Sequence, residues 1–198
     1  MEDCTRYLAA SAPAEAPGWI APYGDSPFDD ENVAEMVYMD ILNRARRYVH
    51  IMTPYLIIDH EMVTALLFAA KRGVDVKLIT PGVPDKRTVF ALTRSYYREL
   101  IAGGVEIYEY EPGFVHAKSF VSDGVTAVTG SINLDYRSLY LHFECAALLH
   151  SVPAVGDIEA DFQATLQKCR RITEEDCRRD RLSRRLTGWL LRPLAPLM

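Results

Sequence analysis

The sequence predicts an α/β domain, one mixed β-sheet flanked by helices. Three observations carry this expectation. Short apolar runs at 48–53 (YVHIMT), 74–80 (VDVKLIT) and 105–110 (VEIYEY) alternate with stretches of helical periodicity. A strand–helix–strand–helix–strand order calls for parallel strands with helices over the faces. Asp123-Gly124 then separates two further apolar runs at tight-hairpin spacing, which adds antiparallel strands.

Each element has a local reason. Ser26-Pro27-Phe28-Asp29 supplies an N-cap, a proline at the first helical position and an acid in the first turn. Val33, Met36, Val37, Ile41, Ala45 and Tyr48 follow at helical spacing, so the first helix is expected there. The strand at 48–53 leads to a helix capped by Asp59, running through Arg72 and closed by Gly73. After the strand at 74–80, residues 84–102 place Val89, Phe90, Tyr96, Tyr97, Leu100 and Ile101 on one helical side, and Gly103-Gly104 ends it. The third strand is 105–110. Residues 115–122 and 125–129 form the hairpin, and 143–149 is a further apolar strand. Val155, Ile158, Phe162, Leu166 and Cys169 mark another helix before a basic helical tail.

The 198 residues make one domain with a sizeable core. With 49% apolar and 25% charged residues, disordered, collagenous and coiled-coil chains are excluded. Four cysteines without a CxxC pair argue against a zinc ribbon or a disulfide framework, so reduced thiols are expected. No apolar run approaches the roughly 20 residues of a membrane span. The opening MEDCTRYL has no basic or apolar region of the kind a secretory signal needs. Four prolines within 9–28 suggest a linker or N-terminal arm over 1–25. The domain proper is expected over 26–170 and a basic amphipathic tail over 171–198. The net charge of −5 is uneven, because 168–192 holds nine Lys/Arg against four acids. A +5 end on a −10 body suits an anionic surface, lipid or nucleic acid, unless it is only a solvated helix face.

The chemistry concentrates in two stretches, HAKSFVSD from His116 and GSIN from Gly130. On a strand, His116 and Lys118 project from one face. The Asp123-Gly124 turn brings Ser131 and Asn133 alongside. An imidazole, an ammonium, a hydroxyl and a carboxamide would then share one site. That set suits a phosphodiester: Lys118 and Asn133 offer fixed donors to the charged oxygens, and His116 is a nucleophile or acid–base group. Glu144 sits inside an apolar run and calls for a cationic or donor partner. Asp123 reads equally well as a turn residue. Each residue alone is weak evidence, since a single strand histidine is more often structural; their joint spacing is stronger.

The spacing HxKxxxxD, then six residues, then GSxN resembles the HKD motif of the phospholipase D superfamily, matched here at His116, Lys118, Asp123, Gly130, Ser131 and Asn133. Thr53-Pro54-Tyr55, the run from Gly104 to Tyr110, and Asn133-Leu134-Asp135-Tyr136-Arg137-Ser138 are similar to the C-terminal half of bacterial cardiolipin synthases, over about residues 19–198. The resemblance implies a phospholipase D-like fold. It implies His116, Lys118 and Asp123 as catalytic residues, Lys118, Ser131 and Asn133 as the phosphate-binding set, and Glu144 as the carboxylate orienting the histidine. It further implies transfer of a phosphatidyl group between two phosphatidylglycerols through a phosphohistidine, with no metal or organic cofactor.

The family carries two such motifs and this chain carries one. A second half, from another chain or a second copy, is therefore expected as a partner, beside phosphatidylglycerol and an anionic membrane surface. No nucleic-acid partner is expected. The expected location is peripheral on the cytoplasmic side of the cell membrane, or the cytoplasm for a detached fragment. A single-motif homodimeric phosphodiesterase or nuclease and an inactive half-domain are the alternative readings.

Overall fold

The computed structural model describes residues 17–29 and 31–197. The strands are β1 (Trp19–Asp25), β2 (Tyr48–Met52), β3 (Leu56–Ile57), β4 (Asp75–Pro81), β5 (Glu106–Tyr110), β6 (Ser119–Ser122), β7 (Thr126–Gly130), β8 (Leu134–Asp135), β9 (Glu144–His150) and β10 (Cys169–Ile172). The α-helices are α1 (Val33–Arg44), α2 (His60–Lys71), α3 (Arg87–Ala102), α4 (Ala154–Leu166), α5 (Glu174–Arg179) and α6 (Leu182–Leu191). Eight strands form one sheet in the order β1-β9-β7-β6-β2-β4-β5-β10, while β3 and β8 pair separately. Neighbours β2, β4 and β5 run parallel, and all other neighbours in the large sheet are antiparallel. The expected mixed α/β sheet flanked by helices is the fold observed.

Alternation along the strands sorts the core into two layers. Val49, Ile51, Val76, Leu78, Ile107, Phe120 and Val128 join the cluster that includes buried side chains of α1, α2 and α3. Met52, Ile79, Val121 and Ala127 pack with Val155 and Phe162 of α4. Fully burying such a side chain is worth about 1.5–3 kcal/mol, so both faces of the sheet are firmly covered. Tyr38 of α1 stacks on Phe120 with ring centroids 3.9 Å apart and donates from its hydroxyl to the Ile132 carbonyl at 3.0 Å. That contact ties α1 to the loop after β7.

Three expectations are corrected. The arm expected over 1–25 lies outside the described residues as far as 16, but from Trp19 the chain is a strand of the main sheet paired with β9. The first helix starts at Val33 rather than beside Pro27. Ser26 instead accepts from the Phe28 N–H, and Asp25 accepts from the Ala34 N–H at 3.0 Å, capping α1 from a distance. The boundary expected between 170 and 171 falls inside a strand of the main sheet, and the basic tail is tied to the domain. β10 pairs with β5, Thr173 and Asp176 close a reciprocal cap on α5, and α6 lies against α3. Arg94 holds this extension through Asp180 at 2.9 Å and through Glu109, with all three side chains nearly buried.

Candidate active site

The candidate site residues His116, Lys118, Ser131 and Asn133 lie where the parallel strands end. β6 starts opposite the end of β2, with Ser119 paired to Met52, and β7 finishes opposite the start of β6. The carboxyl ends of parallel strands in an open α/β sheet are the usual place for a ligand crevice. His116 and Lys118 lie in an extended segment just before β6, not on the strand as expected. Lys118 Nζ lies 3.0 Å from His116 Nδ1 and 3.2 Å from Nε2, and donates to the His116 carbonyl at 2.7 Å. An ammonium donates only to a ring nitrogen with a free lone pair, the state a nucleophilic imidazole needs. Burial pushes the Lys118 amine below its usual range, against the pull of Glu144 and Asp135. His116 itself is exposed and its ring lies 5.7 Å from that of Phe114, whose ring is 6.1 Å from Tyr55.

Gly130 lets the GSxN loop reach this place. A Cβ there would meet the Cys145 carbonyl oxygen at 2.4 Å and Ala146 Cα at 2.5 Å. The loop is pinned by the Ser131 N–H to the Cys145 carbonyl at 2.9 Å, and by the Leu134 N–H to the Thr53 hydroxyl at 3.1 Å. Asn133 Nδ2 donates to the Ser138 hydroxyl at 2.9 Å, while its Oδ1 is buried without a partner. Asn133 and Asp135 line a cleft of about 440 Å³ with Tyr55, Lys86, Arg137 and His142. Tyr55 donates to Asp85 at 2.7 Å, and burial followed by that bond pushes its phenol up to about 12.

Two assignments change. Asp123 is not at the site. It lies in the β6–β7 turn, at the opposite end of β6, where its carboxylate accepts from the Arg46, Arg47 and Tyr48 N–H groups at 2.8, 2.9 and 2.9 Å. Of the two sequence readings, the turn residue is the one observed. Glu144 makes no hydrogen bond or ion pair with His116. Its Oε2 accepts from the Ser131 hydroxyl and its Oε1 lies 3.8 Å from His142 Nδ1. The carboxylate holds the GSxN loop rather than the histidine. Asp135 and His142, which line the cleft beside Asn133, were given no role by the sequence. Asp135 is buried, which raises its carboxyl above the usual range despite the N–H bond from Ser138. The sequence places it in the stretch Asn133-Leu134-Asp135-Tyr136-Arg137-Ser138 without saying that the fold buries it.

The comparisons bear on this geometry. The family described as "Cardiolipin synthase, PLD-like domain" matches residues 38–166. The chain belongs to that family. Cardiolipin synthase 2 of Bacillus cereus is 37% identical over 194 residues, which is 97% of this chain and 38% of the relative. The first curated relatives are each spanned over about two fifths of their length. Among solved structures, the phospholipase D family member Nuc from Salmonella typhimurium matches with a TM-score of 0.63 at 21% identity, over 77% of this chain and 99% of that one. Phosphatidylserine synthase of Haemophilus influenzae matches with a TM-score of 0.68 at 16% identity, over 90% of this chain and 45% of that one. At those identities the structures speak for the fold, and the cardiolipin synthase-type phospholipase D-like domain is that fold. No helix among the described residues is long and apolar enough to cross a membrane.

Proposed function

We propose that this chain is a phosphatidyltransferase of the cardiolipin synthase type and supplies one half of a two-motif active site. The observation that carries the reading is the Lys118 ammonium against the His116 ring, beside the Gly130-anchored loop bearing Ser131 and Asn133. His116 attacks the phosphorus of one phosphatidylglycerol. The N–P bond forms, the P–O bond to glycerol breaks, and the departing glycerol oxygen takes a proton from a donor on the opposite side. The hydroxyl of a second phosphatidylglycerol gives its proton to that same group, attacks phosphorus and breaks the N–P bond.

Lys118 stabilises the phosphoryl oxygens as charge builds on them. Asn133, held by its Nδ2 on the Ser138 hydroxyl, keeps the GSxN loop in place beside Lys118. Attack and departure are roughly in line, so His116 cannot also protonate the leaving group. A second motif supplies that donor. The substrate is a bilayer lipid, so the protein works peripherally at the cytoplasmic membrane surface.

Labelled phosphatidylglycerol in mixed micelles and labelled single-stranded DNA, assayed side by side, test the reading. Label is expected in cardiolipin, with the DNA intact, and His116→Ala abolishes transfer while leaving the fold unchanged. Undiminished transfer by that variant, or cleavage of the DNA alone, overturns it.

A further inference from the structure

The outer face of α6 is unpartnered. Leu182, Leu186, Trp189 and Leu190 follow one another at helical spacing, with 76%, 54%, 69% and 57% of each side chain exposed. The helix cannot roll to bury them, because its inner face is seated at Gly188. A Cβ there would meet the Ala91 carbonyl oxygen at 2.4 Å, so α6 and α3 touch backbone to backbone. Beyond α6 the exposed side chains of Leu194 and Leu197 continue the apolar surface, and Leu197 lines the cleft that holds Asn133 and Asp135. Exposed apolar side chains therefore extend from α6 to the cleft that Asn133 lines.

Two recesses flank the helix. One, of about 540 Å³, is lined by Arg87, Arg181 and Arg184 with the hydroxyls of Thr88, Ser183 and Thr187, and no acid lines it. The other, of about 290 Å³, puts Arg98 and Arg185 beside Trp189. Arg94, Arg184 and Arg192 are taken up by Asp180, Glu109 and Glu99. Arg87, Arg98, Arg181 and Arg185 have no carboxylate partner among the described residues. Guanidinium forks beside hydroxyls match the geometry of phosphate oxygens.

We infer that α6 is a lipid-docking helix: its Leu/Trp stripe enters the acyl boundary of an anionic bilayer, and its flanking arginine recesses hold phospholipid phosphates. A protein partner would leave four guanidinium groups to be paired at an otherwise aliphatic contact, where charge is normally depleted. A nucleic acid would use the arginines but leave the leucines in water. An anionic bilayer uses both, and an interfacial tryptophan suits its boundary. The inference rests on the reading of the site as one that acts on a bilayer lipid, and it adds where the bilayer sits.

Co-sedimentation of the full chain with phosphatidylcholine vesicles, with and without phosphatidylserine, tests it apart from turnover. Phosphatidylserine is anionic without being the proposed substrate. The chain is expected to bind only the anionic vesicles, and less as salt rises. Arg181→Gln with Arg185→Gln should weaken binding by roughly fivefold per arginine removed. Leu186→Ser with Trp189→Ser should weaken it on the order of tenfold or more. The exposed positions leave the thermal transition in place, which circular dichroism checks. His116→Ala should bind like the unaltered chain. Absent binding, or binding undiminished in both double variants, overturns the inference. So does DNA binding lost only with the arginines, or self-association lost with Trp189→Ser without any vesicle binding. Vesicle binding by the unaltered chain without any transfer of phosphatidyl groups overturns the site reading and leaves the docking helix standing.

Discussion

Replacing Asp123 separates a structural carboxylate from a catalytic one. In the structure it accepts three backbone N–H bonds from the segment that joins α1 to β2. Those bonds lie near solvent, so water can replace part of each, and about 1 kcal/mol apiece is a fair charge-assisted value. Asp123 also has a φ of +57°, a conformation that asparagine tolerates and alanine resists by about 1 kcal/mol. Asp123→Ala should therefore cost about 3–4 kcal/mol, a large share of a typical domain's stability. Asp123→Asn keeps the turn and one acceptor oxygen, and should cost about 1–2 kcal/mol. The N–H bonds, working against burial, hold the Asp123 carboxyl below its usual range. Its stabilisation is thus present above the unfolded value of about 3.9 and is lost as pH falls through the lower folded value. Urea unfolding at neutral pH and near pH 3, followed by circular dichroism, reads both effects. The gap between the unaltered chain and Asp123→Asn should narrow in acid. Activity per folded molecule should be retained in both variants. An unchanged urea midpoint with abolished turnover in Asp123→Ala would return this residue to the chemistry.

Three other outcomes follow from the packing. Arg94→Ala leaves Glu109 to Arg170 and Asp180 to Arg184, so thermal unfolding should show a loss of about 1–3 kcal/mol, partly recovered by adding Asp180→Asn. Gly188→Val should push α6 off α3 and speed tryptic cleavage within 181–185, while the sheet core still melts cooperatively. Glu144→Gln removes a carboxylate that favours the charged Lys118 amine, so the alkaline limb of the pH–rate profile should move to lower pH as turnover falls. An unmoved limb would take Glu144 out of the Lys118 environment.

Local rules read much of the fold correctly, and the failures have physical causes. Asp59 does cap α2, accepting from the Met62 N–H at 2.8 Å, because a side-chain oxygen needs only its own helix to find a donor. Asp123-Gly124 makes the expected turn because both residues take positive φ. The strand at Trp19 was hidden by proline punctuation. Pro22 is tolerated in a strand at the end of the sheet, where one side of the backbone has no ladder partner among the described residues. His116 and Lys118 have the side-chain alternation of a strand without the ladder of one, a distinction that periodicity cannot make. The meeting of His116 and Lys118 was legible from spacing two, whereas the role of Glu144 was not. Its partner, Ser131, is chosen by the pairing of Cys145 with the loop, a tertiary fact.

The pairing of the first strand with the ninth has a consequence in time. Trp19 sits opposite His150 and Asp25 opposite Glu144, so more than a hundred residues separate the partners along the chain. During synthesis at about 5–20 residues per second, β1 waits several seconds for β9, its neighbour in the sheet among the described residues, to emerge. Until then Trp19, Ile20 and Tyr23 have no ladder to join. The central strands β2, β4 and β5 can close earlier with their intervening helices. β1 therefore joins the sheet after the central strands, with β10 still to follow, and chains released before residue 150 should leave β1 open to chaperones and proteases.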